Sequence, residues 1–477
     1  MRIAPLPASR PCRRIAAVSL ALLALVGCAA ETAATDPASR ARVLAMPPMH
    51  RFAATRPAPP QRSNTEMAQD FLDLSFQLEG GRELPVLSRF EGPVTLRLTG
   101  PVPATAAGDL DRLLARLRTE AGIDIRPAAI TIEFLPRQVM QARVPRAACF
   151  VAPRVSSWAE YRRARRATLD WTTLVRRESA AIFIPFDTAP QEIRDCLHEE
   201  LAQALGPLND LYRLPDSVFN DDNIHTVLTG FDMLMLRTYH SPVLGAGMSR
   251  AEVARHLPAI LAALNPAGQR PAGRSAPTPP SYARAIETAL GPGTAPTRRR
   301  SAAADALAIA LAQGWNDSRT GFAWMALGRL TQSSDPETAL TAFRRASEIY
   351  RSRPDTVLHA AHAEMQLAAF ALSRGDASAA IGLADRALPV VLAAENAALA
   401  ASFLMIRAEA LDLLGRKAEA DRVRLDSLGW ARYGFGSEAE VADRLNAVAA
   451  LSPLVRAGGA GPAETAGQAG TGVESDG

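Results

Sequence analysis

The chain is poor in lysine, in cysteine and in the motifs of common enzymes. Lys417 is the only lysine among 477 residues, so the basic charge is carried by arginine, as in proteins from GC-rich genomes. No Walker loop, no Gly-x-Ser-x-Gly elbow and no Cys-x-x-Cys pair occurs, which argues against P-loop, α/β-hydrolase and zinc-ribbon chemistry. The formal net charge is only +4 and no basic stretch is interleaved with aromatic residues. We therefore expect no nucleic-acid partner, and we also expect no cofactor.

The sequence also has no long apolar run; the apolar stretch near its start is short. Residues 15–26 are mostly Ala, Leu and Val, too few for a transmembrane helix, and they follow an arginine-rich stretch. They lead into the sequence Leu-Val-Gly-Cys ending at Cys28, which resembles the lipobox cut by lipoprotein signal peptidase. We expect a lipid anchor with palmitate on Cys28; an ordinary signal peptide with a chance cysteine is the alternative. Ala29, in place of aspartate, favours the outer membrane, on its periplasmic side.

Two cysteines remain once Cys12 leaves with the signal peptide and Cys28 carries lipid. Cys149 and Cys196 would then lie in a compartment that oxidises thiols, so we expect a disulfide between them. Two buried thiols are the alternative. Zinc binding by these two alone is not expected, because neither belongs to a Cys-x-x-Cys spacing.

The apolar pattern divides the chain into domains. Alternation at 94–98 and 130–134 and an unbroken apolar run at 180–186 predict strands, and residues 188–206 have helical spacing. Thr188 and Gln191 fit a capping box at the start of that long helix. These elements predict an α+β domain with a mixed sheet and a long central helix. The expected segments are a signal peptide (1–27), a flexible tether (28–64), the α+β domain (65–265), a linker (266–300), a helical repeat domain (301–455) and a disordered tail (456–477).

The helical region repeats itself. Ala339, Ala380 and Ala420 occupy matching positions, 41 and 40 residues apart, and each follows a further helix. No single unit of such an array buries its own apolar face, so the units stack. The small-residue spacing resembles that of tetratricopeptide repeats, although the period is longer. We expect an all-α domain that binds a protein partner through one face, with exposed charges at Arg344, Arg345, Asp385, Arg386, Arg422 and Arg424.

One run of residues has the spacing of a catalytic metal motif. Glu199-Glu200-x-x-Gln203-x-x-Gly206-x-x-Asn209 resembles the metzincin zinc motif, His-Glu-x-x-His-x-x-Gly-x-x-His. In that family two ligands at i and i+4 share a helix face, the adjacent Glu acts as base, and Gly lets a third ligand return. The resemblance implies a zincin-like fold, with Phe219 at the position of the methionine turn.

All three ligand positions nevertheless differ from the motif. Glu199, Gln203 and Asn209 stand in place of histidines, and neutral amides are poor zinc ligands. Only Glu200, at the position of the general base, is the residue that the motif requires. Because the three ligand positions are replaced, we expect no bound metal. Gln203 and Asn209 would then satisfy polar groups around the helix end. A set of nearby histidines could in principle replace the lost ligands, but nothing in their spacing supports it: His198, His225 and His240.

A second resemblance covers more of the chain. The residues from Cys196 to Gly206, together with Asn209-Asp210, residues 216–221 and Gly247-Met248, resemble a proteobacterial lipoprotein family known only as a domain of unknown function. The resemblance spans roughly residues 66–265 and implies no activity. The sequence therefore favours a membrane-anchored scaffold with a catalytically degenerate metzincin-like domain. The alternative is an atypical metallopeptidase that uses Glu200 as general base.

Replacing the expected lipidation site tests the anchor. Cys28→Ala should leave the precursor unprocessed or release the protein from the membrane, because the lipid is the only hydrophobic tether in the sequence. Membrane fractionation and the mass of the N-terminal peptide measure this. A mature Cys28→Ala protein that still sediments with outer membranes would contradict the lipobox interpretation.

Overall fold

The computed structural model describes residues 46–52, 57–92, 94–273 and 276–455. The expected signal peptide, Cys28 and the expected tail at 456–477 lie outside the described residues. Within the described part of the chain, no helix is both long enough and apolar enough to span a bilayer.

A mixed sheet forms the centre of the first domain, as the sequence predicts. Its four strands in the described residues are β1 (Val94–Thr99), β2 (Ile125–Leu135), β3 (Phe150–Pro153) and β4 (Ala180–Pro185). Their order is β1-β2-β4-β3; β1, β2 and β4 run parallel, and β3 pairs antiparallel with β4. All residues of β4 are buried, as its unbroken apolar run predicts for an inner strand.

Helices cover both faces of this sheet. They are α1 (Asn64–Ser75), α2 (Ala106–Arg116, extended by a π-helical turn over Leu117–Ala121), α3 (Arg137–Gln141), α4 (Trp158–Arg163), α5 (Pro190–Leu205), α6 (Gly230–Tyr239) and α7 (Arg250–Leu264). Side chains of β4 alternate between two cores: Ile182 packs in the same cluster as Leu197 of α5, and Phe183 packs against Trp158 of α4. The long helix α5 therefore lies on one face, and the short helices α3 and α4 lie on the other.

The start of α5 differs from the predicted capping box. Ala189 is the N-cap and offers no side-chain acceptor, while Pro190 occupies the first turn. The Thr188 hydroxyl donates instead to the carboxylate of Glu192. Gln191 points away from the helix end, because its amide bonds to the helical array. The Gln191 side chain is therefore used between the domains and does not cap α5.

The predicted disulfide is confirmed. Cys149, just before β3, is bonded to Cys196 on α5, with their Cα atoms 6.0 Å apart. The bond ties the edge strand of the sheet to the helix that carries the metzincin-like run.

The helical array is longer than the sequence predicts. It comprises α8 (Pro280–Leu290), α9 (Pro296–Ala312), α10 (Ser318–Thr331), α11 (Pro336–Arg351), α12 (Val357–Ser373), α13 (Ala377–Ala393), α14 (Ala397–Leu413), α15 (Lys417–Phe435) and α16 (Glu438–Ala449). Helix α8 and the start of α9 lie within the stretch expected to be a linker, because Tyr282 and Ile286 bury apolar surface against the following helices. The matching residues Ala339, Ala380 and Ala420 are all fully buried.

The expected tether is also shorter than predicted, because residues 46–52 contact the array. The amide of His50 donates to Gly429 O at 3.1 Å, and Arg432 Nη1 donates to Pro47 O at 2.6 Å. A Cβ atom on Gly429 would lie 2.3 Å from the His50 ring, so this approach requires glycine. The ring of Phe52 lies 4.8 Å from that of Trp430.

A buried arginine joins the two domains. Arg194 of α5 is 1% exposed. Its guanidinium donates to the carboxylate of Glu395 at 3.1 Å and to the Glu395 carbonyl at 2.5 Å. Glu395 lies between α13 and α14 with φ of +54°, a left-handed conformation that a glutamate rarely adopts. The aromatic rings of Phe52 and Tyr433 flank the same guanidinium, with centroids 5.2 and 5.3 Å away.

Two further polar contacts cross the same boundary. Asp222, in the loop before α6, lies 2.9 Å from Nε2 of His359 on α12, and both side chains are buried. The hydroxyl of Tyr433 on α15 donates to Asp109 of α2 at 2.8 Å. Buried polar groups of this kind hold a defined geometry, since losing one partner leaves the other without a hydrogen bond.

Removing the Arg194 side chain tests this junction. Arg194→Ala should lower the free energy of unfolding by about 3–5 kcal/mol, because Glu395 and its carbonyl lose their buried partner. Urea unfolding followed by circular dichroism measures the change. Arg345→Ala is the control, since Arg345 pairs with Glu348 at an exposed site and should cost less than about 1 kcal/mol. Equal losses in the two variants would contradict a junction that stabilises the whole protein.

Candidate functional site

The C-terminal end of α5 is held by a buried arginine. Arg177 donates to the carbonyl oxygens of Gln203, Ala204 and Gly206 at 2.7–2.8 Å. These carbonyls have no partner within the helix, and a cation at the C-terminus also suits the helix dipole. The C-terminal part of α5, in which the metzincin-like run begins, is therefore fixed in position.

Glu199 and Glu200 lie in this part of α5, before its last turn, and differ in their surroundings. Glu200 is 5% exposed; it accepts a hydrogen bond from the Val151 amide of β3, and its Oε2 has no partner. Burial, and then the neighbouring Glu199, raise the pKa of Glu200 well above its usual range. Glu199 is partly exposed, and burial together with Glu79 raises its pKa to about 8.

The two amide positions are already engaged. Gln203 is buried, and its side chain forms a hydrogen bond with the carboxyl of Glu79. Asn209 Nδ2 donates to the carbonyl of Asp73, near the end of α1, at 2.9 Å. Asn209 thus ties the chain after α5 to α1.

Three further carboxyl groups gather around Glu199 and Glu200. They belong to Glu79 after α1, to Asp210 after α5 and to Asp221 before α6. Burial and mutual repulsion raise the pKa of Asp210 well above its usual range, and one of its carboxylate oxygens has no partner. Burial, and then Glu287 of α8, raise the pKa of Asp221 to about 6. We call the five carboxyl groups of Glu79, Glu199, Glu200, Asp210 and Asp221 the acidic cleft.

The acidic cleft can act chemically in two ways. Its raised pKa values mean that some carboxyl groups keep their protons near neutral pH, so they can donate hydrogen bonds as well as accept them. A cationic group close to these carboxyl groups would instead favour their ionised forms. In the part of the chain that the structure describes, no group of three His, Cys, Asp or Glu side chains has the geometry to hold a metal ion.

The nearby histidines take part in local hydrogen bonds. His198 Nδ1 accepts from the Leu228 amide at 3.1 Å, and burial lowers the pKa of His198 well below its usual range. His225 Nε2 lies 2.9 Å from the Pro215 carbonyl, and His240 Nε2 lies 3.0 Å from the Leu205 carbonyl. In each of these three histidines, one ring nitrogen is therefore hydrogen-bonded to the backbone.

The sequence identified only part of this site. Glu199, Glu200 and Gln203 are together as their spacing predicts, but Asn209 turns to α1 and Asp210 faces the other carboxyl groups instead. Asp210 and Asp221 are among the residues that resemble the uncharacterised family. That resemblance was the only indication in the sequence that these two residues belong to the site. Glu79 lies 120 residues before Glu199, and no local pattern links the two.

The pH dependence of stability tests the acidic cleft. The pKa of about 8 for Glu199 exceeds that of a carboxyl in the unfolded chain, so the folded state loses stability as pH rises between the two values. Glu199→Gln should change stability little near pH 4 but raise it on the order of 1–2 kcal/mol near pH 9, after allowance for solvent screening. Thermal unfolding across this range measures the effect. Glu348→Gln, at an exposed site on α11, is the control; the same pH profile in both variants would contradict a raised pKa at Glu199.

The comparisons with known proteins bear on the domain that contains this cleft. No curated protein and no solved structure matches the chain. Residues 64–259, from the start of α1 into α7, match the model of a family described as "Protein of unknown function (DUF2927)". The resemblance to a family of unknown function that the sequence predicts for residues 66–265 is therefore confirmed.

Proposed function

We propose that this protein is a periplasm-facing, lipid-anchored scaffold that binds a protein partner through its helical array. In this proposal the first domain is zincin-like in fold but catalytically degenerate. The observation that carries the proposal is the state of the three ligand positions, which offer one carboxyl and two engaged amides.

Several features support descent from a zincin-like fold. Helix α5 directly follows β4, and it carries Glu200 against the antiparallel edge strand β3. The chain after α5 passes through Phe219, which is fully buried, at the position of the methionine turn. The side chains of Ser217 and Thr229 anchor this loop to Asp232 and to the Asp216 carbonyl.

The degenerate site supports binding rather than hydrolysis. A catalytic zinc requires three strong donors, and here Gln203 and Asn209 provide amides that already hold Glu79 and Asp73. Without a metal, Glu200 has no polarised water to deprotonate. Its carboxyl instead bonds to β3 and contributes to the repulsion within the acidic cleft.

The junction restricts where a partner binds the array. The surface of α12 around His359 and the start of α14 are taken up by the first domain. The second helices of the repeated pairs, α11, α13 and α15, keep exposed charges at Arg344, Arg345, Asp385, Arg386 and Arg422. Arg424 differs from the expectation, because it is half-buried in ion pairs with Glu409 and Asp412. We propose the exposed face of α11, α13 and α15 as the tetratricopeptide-like partner surface.

The disulfide supports the proposed compartment. Disulfides persist in oxidising environments such as the periplasm, and Cys149–Cys196 joins two elements of the core domain. An anchor at Cys28 and a periplasmic location agree with each other.

Photo-crosslinking in cells tests the partner surface. A photoreactive residue at position 345, 386 or 422 should capture the same protein, because these exposed sites lie on equivalent helices of the array. Charge reversal at the neighbouring Arg344 should reduce that capture at least about threefold if the contact is electrostatic. Position 237, exposed on α6, is the control and should not capture it. Equal capture from position 237 would contradict a partner surface on the array.

Metal analysis of the purified protein distinguishes the proposed scaffold from the alternative, a metallopeptidase. We expect much less than one equivalent of zinc in protein purified without chelator, and no peptide hydrolysis above background. One zinc that resists dialysis, together with cleavage abolished by Glu200→Gln, would overturn the scaffold proposal in favour of the metallopeptidase.

A further inference from the structure

The face of the sheet opposite α5 carries a dense positive charge. Residues 137–169 contain eight arginines and one acidic residue, Glu160. Within the described residues, six of these arginines are exposed and none of the six forms an ion pair: Arg143, Arg146, Arg162, Arg163, Arg165 and Arg166. The carboxylate of Glu160 is engaged by the amide and hydroxyl of Ser156. We call these six arginines the arginine face.

A groove opens within the arginine face, between α3 and α4. Its volume is about 410 Å³, and it is lined by Val139, Ala142, Arg143, Trp158 and Arg162. Val139 is 42% exposed, so an apolar wall is open to solvent, while Trp158 is 7% exposed. An aromatic cluster of Phe150, Trp158, Tyr161 and Phe183 packs behind the groove and makes it rigid.

Trp158, which lines the groove, also carries a hydrogen-bond donor without a partner. The indole N–H of Trp158 is buried and has no acceptor among the described residues. Because that N–H is shielded from solvent, the groove offers a ligand its apolar wall and its two arginines rather than this donor. The guanidinium groups of Arg143 and Arg162 on the groove wall favour an acceptor that is a carboxylate.

We propose that the arginine face is a docking surface for an acidic segment of a partner protein, with one apolar side chain of that segment in the groove. The groove accommodates a few side chains at most, whereas the arginines extend beyond it to Arg165 and Arg166. A single small anion would leave most of these charges unneutralised, and an extended acidic segment would not. This surface is separate from the partner surface proposed on the array.

A protein segment fits this surface better than a membrane does. Membrane-surface binding buries protruding apolar side chains, but here the apolar surface forms the floor and wall of a concave groove. Concave apolar sites surrounded by a charged rim receive an anchoring side chain from a protein or peptide.

Fluorescence anisotropy with a defined probe tests the proposal on the full mature chain. The probe is a short fluorescein-labelled peptide of glutamate and aspartate around a central leucine. We expect saturable binding that weakens with added salt, and weaker binding of a matched peptide with alanine in place of leucine. The double variant Arg143→Glu, Arg162→Glu should weaken binding at least about tenfold, because both rim charges then repel the peptide.

The control variant carries the same change of charge elsewhere. Arg284→Glu with Arg298→Glu alters two exposed arginines of the array and should leave the peptide affinity within about twofold. Circular dichroism of each variant checks folding, and Arg143→Ala with Arg162→Ala replaces the charge reversal if that variant is unfolded. Equal loss in the groove and control variants, no peptide binding, or binding only to phosphatidylglycerol vesicles would each overturn the proposal.

Discussion

Helix α5 is fixed at both ends by buried arginines, and the arrangement of the protein depends on this constraint. Near its start, Arg194 reaches across to Glu395 of the array; at its end, Arg177 binds three carbonyls from the core domain. A buried guanidinium is tolerated only when hydrogen bonds and charge compensate for its lost hydration. Burial raises the pKa of Glu395 even beside Arg194, which indicates how strongly this pair is desolvated. The array thus positions α5, and α5 in turn positions the acidic cleft.

The small net charge conceals an uneven distribution of ionisable side chains across the sheet. Carboxyl groups of the acidic cleft gather near the end of α5, on one face, and the arginine face surrounds α4 on the other. The arginine face makes its side of the sheet positive, whereas carboxyl groups that keep their protons near neutral pH add little negative charge on the other side. The mutual repulsion within the cleft is sustained by rigid surroundings, including the Cys149–Cys196 bond and the contact of Glu200 with β3.

Local patterns in the sequence predict the elements well and their long-range relations poorly. The strands at 94–98 and 180–186 and the helix at 188–206 are found where alternation and helical spacing predict them, because burial imposes those periods. The predicted capping box of Thr188 and Gln191 was wrong, because the Gln191 side chain bonds to Ala398 of the array. The local sequence around Thr188 contains no information about a residue so far along the chain. The stretch predicted to be a linker contains α8. The prediction missed this helix because it relied on the Pro- and Gly-rich composition and overlooked the helical spacing of Tyr282 and Ile286. Glu79 joins the acidic cleft only through the fold.

The contact of residues 46–52 with α15 also limits how far the protein can extend from a lipid anchor at Cys28. On the proposed anchoring, Met46 lies 18 residues after Cys28 (46 minus 28), and a fully extended chain spans at most about 3.3–3.6 Å per residue. Met46 would then stay within about 60–65 Å of the bilayer. If Cys28 is the anchor, this length would confine the protein to a layer next to the bilayer and raise its encounter rate with proteins held in the same layer.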